Sequence, residues 1–95
     1  MIRVVAKFNL KPEKRTEAMA LFEVLVRLTR EENGCHGYDL AQSKDDENVY
    51  VIIEAWENQE TLDVHSASEH FAKIVPQLVD MCACAPVIDA FHQVI

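Results

Sequence analysis

Apolar residues follow two different periods along this chain, and the order of the two periods leaves few folds open. Four runs rich in β-branched and aromatic residues predict strands, and two segments with apolar residues every three or four positions predict helices. The resulting order of strand, helix, strand, strand, helix and strand is the split βαβ plan of ferredoxin-like α+β folds. The predicted strands comprise residues 2–10, 35–43, 48–57 and 85–95.

The first predicted helix covers residues 12–32. It begins with Pro12, which is favoured at the first helical position because a backbone N–H is not needed there. It ends at Gly34, since glycine adopts the left-handed conformation that commonly closes a helix. An amphipathic helix with one apolar face is therefore expected, and that face carries Ala18, Leu21, Phe22, Leu25, Leu28 and Thr29.

The second helical region is predicted in two pieces, each begun by a capping residue. Asn58 is expected to cap a helix over residues 58–66, and Ser68 is expected to cap the next one. Pro76 is expected to kink that helix or to restart it, because proline lacks the N–H that continues the hydrogen-bond ladder. The apolar stripe of this helix comprises Phe71, Ile74, Val75, Leu78 and Val79.

The predicted strands are apolar on both faces, which bears on assembly. In a ferredoxin-like fold both helices cover one face of a four-stranded antiparallel sheet, so the other face needs a different cover. A chain of 95 residues forms one small domain, residues 1–95, which often gains apolar burial by self-association. We therefore expect a homodimer that packs sheet to sheet as a dimeric α/β barrel.

Charge and composition exclude several partners. The chain has 9 basic and 16 acidic residues, with no basic stripe for nucleic acid or for an anionic membrane surface. No segment resembles a secretion leader or approaches membrane-spanning length. The three cysteines, Cys35, Cys82 and Cys84, are too few for a disulfide framework and are typical of a reducing compartment. A cytoplasmic protein is expected.

The candidate catalytic residues are expected to lie where the third strand meets the next helix. Glu54 and Trp56 share one face of that strand, and Leu62 and His65 share one side of the helix. A neutral imidazole beside an apolar wall is a credible general base, and a tryptophan offers a flat surface to an aromatic substrate.

Structural interpretations of the same residues remain open. A histidine or tryptophan at such positions is more often part of the core, and Asn9, which ends an apolar strand, is explained by turn formation before Pro12. His65 and His70 could share a metal ion only if the helix breaks between them, and no further ligands are evident. No metal site is predicted.

Three segments resemble the antibiotic biosynthesis monooxygenase family of small dimeric ferredoxin-like proteins. They are EENGCHGY (residues 31–38), EAWENQETLDVH (residues 54–65) and SEHF (residues 68–71). The first two look especially like the quinol monooxygenase branch, whereas Asn9 followed by the later histidines looks like the branch that degrades or isomerises the phosphorylated autoinducer-2 signal. The likeness covers nearly the whole chain.

The resemblance implies oxidation of an electron-rich aromatic by O₂ without metal, haem or flavin, so no cofactor is expected. It implies that His65 is the base, that Trp56 lines the pocket, and that His70 orients the substrate or His65. Asn9 is expected to take part in catalysis. The remaining expected substrate-binding residues are Glu54, Phe71 and Phe22.

Three functions stay open at this point. The first is a cofactor-independent monooxygenase acting on a small quinol or polyphenol. The second is a keto-enol isomerase of a small signal molecule. If that molecule is phosphorylated, its phosphate needs basic residues around it, and the sequence shows no such cluster. The third is a dimer that binds a small molecule without turnover. Oxygen uptake, deuterium exchange next to a carbonyl and ligand-induced stabilisation would separate them.

Overall fold

A computed structural model describes all 95 residues, and its strands and helices follow the predicted order. A 3₁₀ turn, Pro12–Lys14, precedes the first helix. None of the helices combines the length and the apolarity needed to cross a membrane. The strands are β1 (Ile2–Asn9), β2 (Cys35–Gln42), β3 (Val49–Trp56) and β4 (Val87–His92), and the helices are α1 (Arg15–Arg30), α2 (Gln59–Ser66) and α3 (Glu69–Asp80).

The four strands form one antiparallel sheet in the order β2-β3-β1-β4. Strands β1 and β3 occupy the centre, with Ile2 opposite Trp56 and Val4 opposite Glu54. The three α-helices and this sheet confirm the predicted ferredoxin-like α+β fold.

Even-numbered residues of the central strands face the helices and form the core. Because side chains alternate along a strand, one parity of β1 and β3 is buried under the helices while the other faces away. The inner side of these strands is formed by Ile2, Val4, Ala6, Phe8, Tyr50, Ile52, Glu54 and Trp56, all of which are buried. The buried residues of α1 and α3 that meet it are Ala18, Phe22, Leu25, Thr29, Ile74 and Leu78.

Two details of the helices differ from the prediction. Helix α1 ends at Arg30, so Glu32 lies in the turn that follows. Helix α3 continues through Pro76, so the restart, one of the two alternatives expected there, does not occur. Pro76 and Ala72 are both exposed, so water can reach the Ala72 carbonyl that loses its helical hydrogen bond.

Candidate active site

A cavity of about 260 Å³ lies between the inner side of the sheet and the helices. Its walls are mainly apolar, and the ionisable side chains among the lining residues are Glu54, Asp63 and His65. No lysine or arginine lines it. The apolar walls come from Val4, Ala6, Phe8, Leu25, Ile52, Leu62, Phe71, Val75, Ile88 and Ala90.

His65 is the buried base candidate on this cavity, with 1 % of its surface exposed. Its Nδ1 lies 2.6 Å from Oε2 of Glu32. Since a carboxylate can only accept, Nδ1 carries the ring proton and Nε2 keeps a lone pair. Nε2 is buried and has no hydrogen-bond partner in the protein. Burial lowers the pKa of His65 although Glu32 opposes this effect, which favours the neutral ring that a general base requires.

His70 completes a cluster around the same carboxylate oxygen. Its Nε2 lies 2.9 Å from Oε2 of Glu32 and 3.3 Å from the hydroxyl of Ser68. Ser68 also donates to the carbonyl oxygen of His65, at 2.6 Å, and accepts from the backbone N–H of Phe71 as the cap of α3. The break between α2 and α3 thus holds both imidazoles against Glu32.

Local backbone features place the cluster. Asn58 caps α2 through a reciprocal pair of bonds with Thr61, which fixes where the helix begins and hence where His65 points. Gly34 has a φ of +81°, and a Cβ at this position would overlap the side chain of Thr61. Glycine therefore lets the turn after α1 lie directly on α2, which brings Glu32 to His65.

Aromatic rings surround His65. The ring of Trp56 lies 4.6 Å from the imidazole, centroid to centroid, at an interplanar angle of 30°. Phe71 and Tyr38 meet it edge-on at 5.2 and 5.4 Å. Trp56 is fully buried behind the imidazole and does not line the cavity. It supports the base from behind and leaves the cavity side free.

Glu54 links Trp56 to the cavity. Its Oε1 accepts a hydrogen bond of 2.8 Å from the indole Nε1 of Trp56. Burial raises the pKa of Glu54 to about 7, helped by the nearby Glu32 charge and opposed by the tryptophan hydrogen bond. Near neutral pH a substantial fraction of Glu54 is therefore protonated and can donate a hydrogen bond into the cavity.

The structure brings five of the predicted site residues together and leaves two apart. His65, His70, Glu54, Trp56 and Phe71 form the site described above. Asn9 lies on the outer side of the sheet, at the end of β1 opposite to Ile2 and Trp56. Phe22 packs in the core against Phe8, at 5.3 Å between ring centroids, and does not line the cavity.

Sequence reasoning missed Glu32 and Tyr38. Glu32 is 33 residues from His65, and the sequence places it at the last position of the first predicted helix, with no role at the site. One available indication was its place two residues before Gly34, where a chain that leaves a helix can turn back on the next layer. Tyr38 falls within a predicted strand, but its contact with His65 depends on how β2 pairs with β3.

Residues 1–77 match the sequence profile of the family described as Antibiotic biosynthesis monooxygenase. The chain belongs to this family. The residues beyond the matched part complete α3 and supply β4, which contributes Ile88 and Ala90 to the cavity wall. Family membership supports a monooxygenase-like function acting on a small molecule.

Two relatives illustrate the range of the likeness. A Bacillus subtilis (strain 168) protein named "Putative monooxygenase YcnE" is 35% identical over 75 residues, which cover 79% of each chain. The uncharacterized protein sll1783 of Synechocystis sp. is 29% identical over 82 residues, or 86% of this chain. The match spans only 56% of the Synechocystis protein's length.

Solved structures agree in fold. A crystal structure of an antibiotic biosynthesis monooxygenase superposes with a TM-score of 0.94 at 33% identity, covering 99% of both chains. The α+β arrangement is therefore the family fold.

Proposed function

We propose that this protein is a cofactor-independent monooxygenase that oxidises a small quinol or polyphenol with O₂. The observation that carries the proposal is the state of His65 at the cavity. Its Nδ1 is bound to Glu32, and its Nε2 is buried, unpaired and able to accept a proton. The largely apolar wall and the absence of lysine or arginine from the lining favour a neutral, flat substrate.

In the proposed reaction His65 removes the proton of a phenolic hydroxyl. The resulting phenolate is electron-rich and donates electrons directly to O₂. One oxygen atom enters the ring, and the other leaves as water, so a hydroquinone becomes a hydroxyquinone. The substrate supplies all four electrons, and no external reductant is needed.

The residues around His65 have separate roles in the proposed reaction. Glu32 holds the ring of His65 in the tautomer that can accept at Nε2 and stabilises the imidazolium after proton transfer. Protonated Glu54 donates to a substrate or oxygen-derived oxygen atom, and Phe71 provides an apolar wall. Trp56 and His70 are positioning residues, since Trp56 packs behind His65 and His70 binds Glu32.

The cavity lining argues against the isomerase alternative. A phosphorylated substrate requires fixed positive charge near its phosphate, and the ionisable groups on this cavity are two carboxyls and one imidazole. Binding without turnover uses the same apolar cavity and is separated from the oxygenase by the test below.

We further propose that residues 1–95 act as one domain and form a homodimer through the outer side of the sheet. On that side Ile53, Val87 and Phe91 are 38, 56 and 53 % exposed. A second copy packed on this surface would cover them. Asn9, whose catalytic role stays a prediction, lies on the same side of the sheet and would face the partner.

The test is oxygen uptake by metal-stripped protein with a panel of small quinols. We expect uptake above the autoxidation rate, and a loss of roughly a hundredfold or more in His65→Ala, the scale of a lost general base. His65→Gln retains more side-chain volume than His65→Ala and should show the same loss of uptake. The same loss in both variants would show that the missing base, and not a packing defect, is responsible.

His36→Ala is the matched control, because His36 is an exposed histidine on β2, away from the cavity. It should retain native uptake. Uptake that never exceeds autoxidation in any of these proteins contradicts the oxygenase proposal. Stabilisation by a quinol without uptake would then assign a binding function.

A further inference from the structure

Glu32, His65 and His70 bring three metal-type donor atoms together beside the cavity. Oε2 of Glu32 lies 2.6 Å from Nδ1 of His65 and 2.9 Å from Nε2 of His70. All three donor atoms lie within 4.8 Å of one another. Two imidazoles and one carboxylate suit Zn²⁺ and related divalent transition metals. We propose that these side chains form a binding site for such an ion, one that inhibits the enzyme rather than serving the reaction.

The helix break that a shared metal site requires between His65 and His70 is present in the structure. Five positions along a continuous helix would separate His65 from His70 by about 140°. Instead α2 ends at Ser66 and α3 begins at Glu69, so the backbone turns between the two histidines. The turn directs both imidazoles at one carboxylate oxygen, and Glu32 is the third ligand that the sequence did not reveal.

Two of the three donor separations are shorter than in a zinc site, and the third, between the ring nitrogens of the two histidines, is at most 4.8 Å. Donor atoms bound to one tetrahedral zinc ion stand about 3.3 Å apart. The separations of 2.6 and 2.9 Å would therefore have to open by about 0.7 and 0.4 Å. Three protein ligands leave a fourth position for water, as in zinc sites that exchange a ligand.

An ion can reach the cluster without passing through the substrate cavity. The side chains of Glu32 and His70 are 13 and 17 % exposed, whereas that of His65 is 2 % exposed. His70 also lines a separate groove of about 480 Å³ between α1 and α3. We take this groove as the entry path, because His70 is one of its lining residues.

Metal binding and the proposed base function exclude each other. A metal at Nδ1 of His65 requires the ring proton to move to Nε2, which then can no longer accept a proton from the substrate. Bound Zn²⁺ would therefore inhibit oxygen uptake. This consequence rests on the proposed function, whereas metal binding itself does not.

Binding is tested by titrating metal-free protein with Zn²⁺ by calorimetry and with Co²⁺ by visible absorption. We expect one ion per chain. His70→Ala and Glu32→Gln should each weaken binding at least tenfold, the lower limit for loss of even an outer-shell partner of a metal site. Unchanged affinity in both variants would overturn the site.

Matched controls separate this site from other donors. His36→Ala and His92→Ala remove exposed histidines on β2 and β4 and should leave the affinity unchanged. Cys84→Ser removes the exposed thiol and should also have no effect. A cobalt–thiolate charge-transfer band, or equal weakening by a control variant, would assign binding elsewhere and reject the proposal.

The inhibitory role is tested separately in the oxygen-uptake assay. Zn²⁺ should inhibit the native protein, a chelator should restore uptake, and His70→Ala should need at least tenfold more Zn²⁺ for the same inhibition. Saturating the site without loss of uptake would overturn the inhibitory role. If no quinol is oxidised, the oxygenase proposal fails while the calorimetric result still decides the metal site.

Discussion

The two sides of the central strands differ sharply, although both sides are formed by β1 and β3. Successive side chains of these strands point to opposite sides of the sheet. The inner side is buried, yet it carries the ionisable Glu54 and supports the buried His65. The outer side exposes large apolar side chains such as Ile53 together with charged ones such as Lys7. On the inner side, Glu54 accepts a hydrogen bond from Trp56, whereas Lys7 on the outer side is exposed in the single chain. This contrast predicts how strongly substitutions on each side act.

The largest stability effect is expected for Trp56→Ala on the inner side. Trp56 is fully buried, packs on His65 and donates to Glu54. Removing a buried aromatic side chain costs about 3–5 kcal/mol of unfolding free energy. Urea unfolding measures it, with Val51→Ala on the outer side as the control. Equal losses for the two variants would contradict the contrast between the sides.

The second-largest effect is expected at Glu54, whose protonation makes the stability of the protein depend on pH. The pKa of Glu54 rises from 4.5 to about 7 on folding. The folded state thus binds the proton more tightly, so native stability falls as pH rises from about 4.5 through 7. Glu54→Gln mimics the protonated acid and should be more stable than the native protein by about 3 kcal/mol at pH 8.

At about pH 4 that stability difference should largely vanish, because Glu54 is then mostly protonated in the folded state and largely so in the unfolded one. Chemical unfolding at several pH values measures it. A difference between Glu54→Gln and native protein that stays constant from pH 4 to 8 would show that Glu54 is not responsible.

The third prediction concerns dimer formation through the outer side of the sheet. Ile53→Asp puts a charge at the centre of the proposed dimer surface, and in a symmetric dimer the charge appears twice. We expect the dimer dissociation constant to rise at least tenfold, about 1.4 kcal/mol. Sedimentation equilibrium measures it, with Val64→Asp, an exposed valine on α2, as the control. Monomeric native protein would exclude this dimer.

The smallest effect is expected for Asp39→Asn on the outer side. Asp39 pairs with Arg30 at 2.9 Å, the same distance that joins His70 to Glu32, but both side chains of the pair are more than half exposed. Solvent screening limits such a pair to less than about 1 kcal/mol. A larger loss in thermal or urea unfolding would mean that this pair is covered in the assembled protein.

Local patterns predicted much of the fold because they depend on near neighbours. Asn58 and Ser68 cap the two helices where expected, and Gly34 adopts the expected left-handed conformation, although α1 already ends at Arg30. The absence of a restart at Pro76 has a local cause as well. A proline removes one hydrogen bond, but on the exposed side of a helix water can replace that bond.

The sequence by itself determined the order of elements, the family and the meeting of Glu54 with Trp56 on one face, because these follow from periodicity and short-range spacing. Only the tertiary structure decided that Glu32 binds both His65 and His70, 33 and 38 residues away. It also decided that Asn9 and Phe22 lie apart from the cavity. Register and layer packing set these contacts, and both depend on the summed burial of many side chains rather than on any local pattern.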